Sequence, residues 1–514
     1  MQLRQYCWIT WLWCGVFLFV GLACARSVLP GRPNWIAPDS ADLLGQPTPF
    51  SFLPPTRPPG APRYTPTPDP PHDLPPLRTE EERYTVKPGD TLGEIALAYN
   101  LPLEQLIAAN QLNNPDRLEV GQELIIPRPT PQGISPAFKI IPDSELVYGP
   151  MTIAFDVAAF VAQQPGYIAR YSEEINDQKK TAAEILQRVA QDYSVNPRLL
   201  LALLEYQGGW LSNPEPTKEQ RTYPIGLVNE ERKGLYRQLT WAANQLNRGY
   251  YLWRVNGLAL WNLVDGTSLQ IDPTINAGTA AVQHLFAQLY PLESWQQAVS
   301  EKGLFATYQQ LFGYPFDYAI EPLLPPGLYQ PPLQLPFEVG VKWVFTGGPH
   351  GAWDSGSAWG ALDFAPDREA VGCVPSDEWV VAMADGPIVR VGEGVVIQDV
   401  HYPPSSPADG FEQTGWALLY MHIESRDRVN AGVHLKAGER IGHPSCEGGL
   451  ASGTHVHIAR KYHGEWIPAD QDLPFVLDGW VSAGTGVAYD GFLRRDGVEI
   501  EAYAGRSKKN RISR

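Results

Sequence analysis

The spacing of apolar positions changes three times along the chain. From Ala182 to Tyr193 and from Pro197 to Glu205 they recur every three or four residues, the period of an amphipathic helix, which predicts a largely helical middle domain over 150–325. A proline-rich stretch from Leu323 to Pro336 marks a boundary. Beyond it the pattern turns to short runs rich in Val, Ile and aromatic residues: Trp379 to Met383, Ile388 to Val391, Val395 to Val400, Trp416 to Met421 and His455 to Arg460. Glycines separate these runs and Asp385-Gly386 is a tight-turn signal, so a mainly antiparallel β domain is expected over 335–475. In the C-terminal extension, 476–514, Trp480 to Ala483 and the turn Tyr489-Asp490-Gly491 predict a hairpin on the edge of that domain. The basic tail from Arg506 to Arg514 is expected to fray.

A smaller unit precedes the helical pattern. A short strand, Tyr84 to Val86, leads to the turn Pro88-Gly89-Asp90. Thr91 with Glu94 has capping-box spacing, a second helix is expected from Pro102 to Asn110, and Leu124 to Ile126 returns as a strand. This βααβ order, with Tyr84-Thr-Val-Lys-Pro-Gly-Asp-Thr-Leu-Gly-Glu-Ile-Ala at its start and Leu124-Ile-Ile-Pro127 at its end, resembles a LysM domain over 83–128. The resemblance implies binding to the N-acetylglucosamine backbone of peptidoglycan or chitin. Its groove would lie between the loop carrying Gly89, Asp90, Thr91 and Leu92 and the loop after Asn110, over a core of Val86, Leu92, Ile95, Ala96, Leu106, Ile107 and Ile125.

Ahead of this unit, 13 of the 32 residues from Pro47 to Arg78 are proline. Such a stretch lacks apolar content for a core and reads as an extended spacer within the linker 26–82. Residues 1–25 place Arg4 before an apolar run from Tyr6 to Ala25, an export signal. Three fates fit it: lipidation at Cys24, ordinary cleavage at Ala23-Cys24-Ala25, or retention as a membrane anchor. All three put the folded part outside the cytoplasmic membrane, in the cell envelope or secreted.

Candidate chemistry concentrates in the β-patterned domain, where eight of the ten histidines lie between residues 350 and 463. Residues i and i+2 of a strand project from one face, so His455 and His457 can serve one site if Thr454 to Ala459 is extended. Thr346-Gly-Gly-Pro-His350 and Ala361-Leu-Asp363 add a histidine and an aspartate. Two imidazoles and one carboxylate make a catalytic zinc set with a position left for water. No His-Glu-x-x-His occurs in the chain. For His72, His284, His401, His434, His443 and His463, ordinary surface or core roles are expected.

These residues, with the Tyr420-Met421-His422 strand between them, resemble the lysostaphin-type zinc peptidases that cut peptide bonds in bacterial cell walls. Many members space the first pair as His-x-x-x-Asp, and this chain has Trp359 where that histidine would stand. The longer spacing from His350 to Asp363 is similar to the staphylolysin branch. The resemblance implies one Zn2+ held by His350, Asp363 and His457, with His422 and His455 as the catalytic pair.

In the middle domain, Asn196 to Trp210 resembles the catalytic helix of lysozyme-like lytic transglycosylases. Gln207 and Gly208 stand where that family has an acid glutamate and a serine, and an amide cannot protonate a glycosidic oxygen. Glu205 lies about 200° round the helix from that position. A non-catalytic domain is expected.

Cys7, Cys14 and Cys24 fall in the signal region, which leaves Cys373 and Cys446 as a candidate disulfide in an oxidising compartment, or as two free thiols. A net charge of −16 and a pI near 5.1 exclude nucleic acid as the main partner. The expected protein is an exported, multidomain peptidoglycan hydrolase: a zinc endopeptidase acting on wall peptides, held on glycan by LysM and tethered to the membrane or released. The alternative is a wall-binding scaffold or activator without catalysis.

Overall fold

Residues with two-fold alternation build the C-terminal half into one large antiparallel sheet. In the computed structural model, which describes residues 68–87, 90–112, 114, 117–369, 371–400, 402 and 408–514, eight of its nine strands follow a single path, and Glu465–Trp466 pairs with Val456–Tyr462 off it. The order is His434–Leu435, Gly386–Val391, Val395–Asp399, Trp416–Met421, Val456–Tyr462, Ala361–Pro366, Lys342–His350 and Arg511–Ser513. The export segment with Cys24, most of the proline-rich linker, Gly89 and His401 lie outside the described residues. Among the described residues no helix is long and apolar enough to cross a membrane.

Both faces of this sheet are covered, which is why Trp416–Met421 is buried along its whole length rather than at alternate positions. One face carries Leu362, Phe364, Val396, Leu418, Tyr420, Val456 and Ile458, which pack with Phe337, Trp343 and Trp480. The opposite face carries Ala361, Val395, Ile397, Ala417, Leu419, Met421 and Ala459 and joins the core of the middle region.

In that middle region helices alternate with short hairpins. Ala182–Tyr193 starts at a capping box between Thr181 and Glu184 and stops at Ser194, whose left-handed φ of 52° ends the helical path. Pro197–Gly208 follows with Asn196 as its cap and proline in its first turn. Leu235–Arg254 packs on Ala277–Ala287, a helix buried at every position. Gly249 permits the close crossing, since a Cβ there would lie 2.6 Å from that of His284. The hairpins Ser172–Ile175 with Gln178–Thr181 and Leu260–Asn262 with Ser268–Gln270 are the β component.

The N-terminal module pairs Glu82–Thr85 antiparallel with Glu123–Ile126, with the helices Leu92–Ala98 and Leu103–Ala109 between them. Val86, Leu92, Ile95, Leu106, Leu124 and Ile126 form its core.

Three expectations are corrected. Part of the proline-rich segment is fixed to the middle region: the Asp69 and His72 amides donate to the Thr274 and Pro273 carbonyls at 3.1 and 2.8 Å, and the His72 ring stacks on Trp253. After the module the chain binds the same surface, with the Gln132 and Ser135 amides donating to Ser268 and Gln270. The tail does not fray, because Arg511–Ser513 completes the edge of the large sheet against Lys342–His350 and buries Ile512. The extension forms a four-stranded sheet, Val476–Leu477, Trp480–Gly484, Gly491–Arg495 and Val498–Glu501, rather than a lone hairpin.

Candidate metal centre

Register places the site. His457 lies directly opposite Asp363 on the neighbouring strand, and Met421 lies opposite His457 on the other side. Lys342–His350 runs beside Asp363 with register shifts between Phe345 and Gly347 and between Gly347 and His350. Bulges of this kind re-aim a side chain, and here His350 turns towards Asp363. Gly347 makes room for the carboxylate, since a Cβ there would stand 2.7 Å from Asp363 Oδ2.

His350, Asp363 and His457 are all buried, at 3, 7 and 6% exposure, and each offers one ligand atom within 4.8 Å of the others. Asp363 Oδ1 stands 3.3 Å from His350 Nε2 and 3.1 Å from His457 Nδ1. The outer ring nitrogens fix the tautomers. His350 Nδ1 is 2.8 Å from the Gly348 carbonyl and His457 Nε2 is 3.0 Å from the Ala352 carbonyl. A carbonyl only accepts, so each of these nitrogens carries a proton, and in the neutral ring each inward nitrogen presents a lone pair. Asp363 Oδ1 has no hydrogen-bond donor although it is buried. Three electron-rich atoms thus converge out of water, an arrangement that a cation relieves. The donor set fits zinc: two imidazole nitrogens, whose second N–H groups are held by carbonyls, and one carboxylate oxygen.

Burial opposes the charge of each member, and the neighbours decide the balance. Burial would raise Asp363, but His350 and His455 hold its carboxyl well below the usual range. Burial would lower His350, yet Asp363 lifts it above the ordinary imidazole value. His457 is lowered, with burial the larger influence.

His422 and His455 come to the rim of the same site. Their ring centroids are 4.5 Å apart, and His455 Nε2 lies 3.8 Å from Asp363 Oδ2. His455 sits just before the strand Val456–Tyr462 and is held by a bridge to Ser445. His422 takes a left-handed φ of 65° where its strand ends, and burial with the charges of His455 and His457 pushes its pKa down to about 3. Each ring donates Nδ1–H to a carbonyl at 2.8 Å, His422 to Glu447 and His455 to Gly453. Both Nε2 atoms are therefore proton acceptors.

Cys373 and Cys446 are bonded, with S–S 2.08 Å. The bridge links two loops that serve this pair. One contains Glu447, and the other contains Gly372 and Val374, whose carbonyls receive Thr454 N–H and O–H. Sequence reasoning missed Tyr489, whose ring stacks on His350 at 4.1 Å between centroids. Burial and the nearby Asp363 push its pKa up to about 12. The signal available was a tyrosine in a predicted turn, which does not point to a site 139 positions earlier.

The remaining candidates sit elsewhere. In the LysM-like module Asp90 Oδ2 accepts from Tyr84 O–H and Lys87 N–H, both at 2.7 Å, while Thr91 is exposed and Leu92 is in the core. Asn110 uses its amide internally, donating to Leu106 and Ile125 and accepting from Ile125 N–H at 2.6 Å. Glu205 accepts from the Leu211 and Ser212 amides at 2.8 and 3.1 Å, and Gln207 Oε1 accepts from Tyr290 O–H, so both side chains are engaged within the fold.

The family model described as LasA, N-terminal domain, matches residues 139–324, and the LysM domain model matches 84–127. The matched description for the middle region is thus LasA and not a lytic transglycosylase. Protease LasA of Pseudomonas aeruginosa is 26% identical over 344 residues in one strain, covering 63% of this chain and 74% of that protein. The secreted LysM effector ECP6 of Passalora fulva is 49% identical over 45 residues, 9% of this chain and 20% of its own. Among solved structures, the M23 metalloprotease pseudoalterin shares 24% identity over 35% of this chain and 98% of its own, with a TM-score of 0.28. The catalytic domain of lysostaphin from Staphylococcus simulans shares 22% over 25% of this chain and 88% of its own, with a TM-score of 0.17. The chain is therefore similar to Protease LasA and carries a LysM domain ahead of a region that matches the LasA N-terminal domain.

Proposed function

We propose that the protein is an exported zinc endopeptidase that cleaves peptide stems or cross-bridges of peptidoglycan while its LysM domain grips the glycan. The observation that carries this reading is the convergence of His350 Nε2, His457 Nδ1 and Asp363 Oδ1, all buried, on one point beside two further histidines. The likeness to Protease LasA supports the same class of reaction.

His350, Asp363 and His457 would hold one zinc ion. When bound, zinc polarises a scissile carbonyl and brings the pKa of water towards neutrality. His455 Nε2, nearer to Asp363, is placed to accept the proton of the attacking water. His422, oriented by the Glu447 carbonyl and beside His455, would pass a proton to the departing amine or steady the developing oxyanion once its Nε2 has taken up a proton during the reaction. The proposed division is LysM over 83–128, a non-catalytic middle domain over 150–325, a peptidase over 335–475 and an extension over 476–514. Of these, the extension supplies Tyr489 to the site. Glycan binding through Gly89, Asp90, Thr91 and Leu92, and a tether through residues 1–25 with Cys24 as lipid site, rest on the sequence.

The deciding experiment is digestion of purified peptidoglycan followed by mass spectrometry of the fragments. New amine and carboxyl termini in the peptides, abolished by a chelator and restored by Zn2+, are expected. Fragments cut only in the glycan strand overturn the proposal.

A further inference from the structure

A hollow of about 660 Å³ opens on the middle region, within the range of roughly 300–1,000 Å³ typical of small-molecule sites, and none of the candidate metal ligands lines it. Three segments build its wall. Tyr206 stands on Pro197–Gly208, Tyr290 follows Ala277–Ala287, and Glu293, Ser294, Gln296 and Gln297 come from the short helix Leu292–Ala298. The two tyrosines are half-buried and form a fixed aromatic strip. Buried Phe286 lies against both, its ring centroid 5.6 Å from that of Tyr206 and 5.5 Å from that of Tyr290. Gln207 accepts the Tyr290 O–H, and its own Nε2 is buried without a hydrogen-bond partner, so an unused donor stands beside the tyrosine.

The chemistry of this lining selects its ligand. An aromatic face with a polar edge suits the C–H face of a pyranose, and the hydroxyl, carboxylate and primary amide groups around it pair with sugar hydroxyls and acetamido groups. Among the described residues no lysine or arginine lines the hollow, which disfavours a phosphate or other polyanion. Glu293 is the one carboxylate in the lining, whereas glycosidic cleavage ordinarily uses a pair. The hollow is built to hold a sugar and not to cut one.

Its place in the fold links it to the LysM-like module. Asp265, in the turn between Leu260–Asn262 and Ser268–Gln270, accepts from the Leu292 amide at 2.9 Å, where the helix bordering the hollow begins. Asn262 of the same hairpin donates to Asn100 of the module at 3.0 Å. One hairpin braces both. We propose that the hollow is a second glycan subsite, taking an N-acetylhexosamine of the strand that the LysM domain holds elsewhere along its length. Once LysM has bound, capture by the hollow is an intramolecular event, so the strand is held more tightly than by either site alone. This surface is separate from the metal centre, and the proposal stands whether or not the chain cleaves peptides.

The test uses the full chain and two readouts that do not depend on turnover. Hydroxyl-radical footprinting with mass spectrometry is run with and without the N-acetylglucosamine hexamer, and oxidation of Tyr206 and Tyr290 should fall severalfold when the hexamer is present. The Kd for peptide-free glycan strands should rise at least about tenfold in Tyr206→Ala and in Gln297→Ala. Gln297 is exposed, so its variant keeps the fold and decides the matter if Tyr206→Ala does not. An unchanged footprint, or a Kd within about twofold of the parent protein in Gln297→Ala and in folded Tyr206→Ala, overturns the subsite. Protection of Tyr206 by a soluble cross-linked wall peptide and not by the hexamer also overturns it, since the occupant would then be peptide.

Discussion

Nε2 of His350 and Nδ1 of His457 face each other across 3.0 Å, although each ring has already given its other N–H to a carbonyl. In the neutral rings these two nitrogens present lone pairs to each other, and Asp363 Oδ1 beside them has no hydrogen-bond partner. Chelation should therefore remove activity and also lower the Tm by several degrees, because bound metal stabilises the folded state by mass action. Asp363→Asn and His457→Ala should each reduce bound zinc from one equivalent towards zero and activity by at least about 100-fold. Elemental analysis beside the peptide assay checks this, and full metal occupancy in either variant would count against the ligand set.

His422→Ala and His455→Ala should separate catalysis from metal binding. Neither ring is among the three converging donors, so zinc should stay bound while kcat falls by roughly 10²–10⁴-fold. A drop in metal content equal to the drop in rate would assign these rings to the metal instead.

The Cys373–Cys446 bridge should matter to stability and to the histidine pair. Its ends are 73 residues apart, which corresponds to about 4 kcal/mol in the chain-entropy account. Because Cys446 precedes Glu447, whose carbonyl orients His422, the double Cys→Ser variant should also lose kcat at temperatures where it remains folded. Unfolding curves paired with kinetics on the metal-loaded variant test this. Full kcat in a folded variant would confine the bridge to stability.

Asp399 gives a pH signature away from the site. Burial, with a smaller contribution from Asp409, pushes its carboxyl up to about 6. A folded-state pKa above the unfolded one means the stabilising form is the protonated one. Its contribution is present below about pH 4 and is lost as pH rises through about 6. Asp399→Asn keeps an acceptor for Gly410 N–H without the charge, and should stabilise the protein by about 2 kcal/mol at pH 8 with no gain at pH 4. Denaturant melts across that range decide it.

The strand pattern carried much of this architecture, since Trp416–Met421 and Ala182–Tyr193 coincide with the runs read from spacing alone. His455 and His457 were legible because alternation puts both beside one neighbour. Asp363 proves to be that neighbour, through a register that local sequence does not encode. Tyr489 was illegible because its approach to His350 depends on the path of the extension after the sheet is complete. Proline content suggested a free spacer up to Arg78, whereas the backbone groups of Asp69 and His72 are bound, a pairing of main-chain atoms that composition does not register. The tail looked frayed for a similar reason. Its charges drew attention from Ile512, the one side chain that the sheet edge needed.

The fastening of the chain at Asp69 and His72, and again at Gln132 and Ser135, means that the LysM domain leaves and re-enters the same surface, with a further contact from Asn262 to Asn100 at 3.0 Å. A unit secured at entrance and exit does not swing like a bead on a string. Tension applied through a captured glycan would be shared between two parallel connections, and the orientation of the polymer relative to the rest of the molecule would be set by the fold rather than by diffusion.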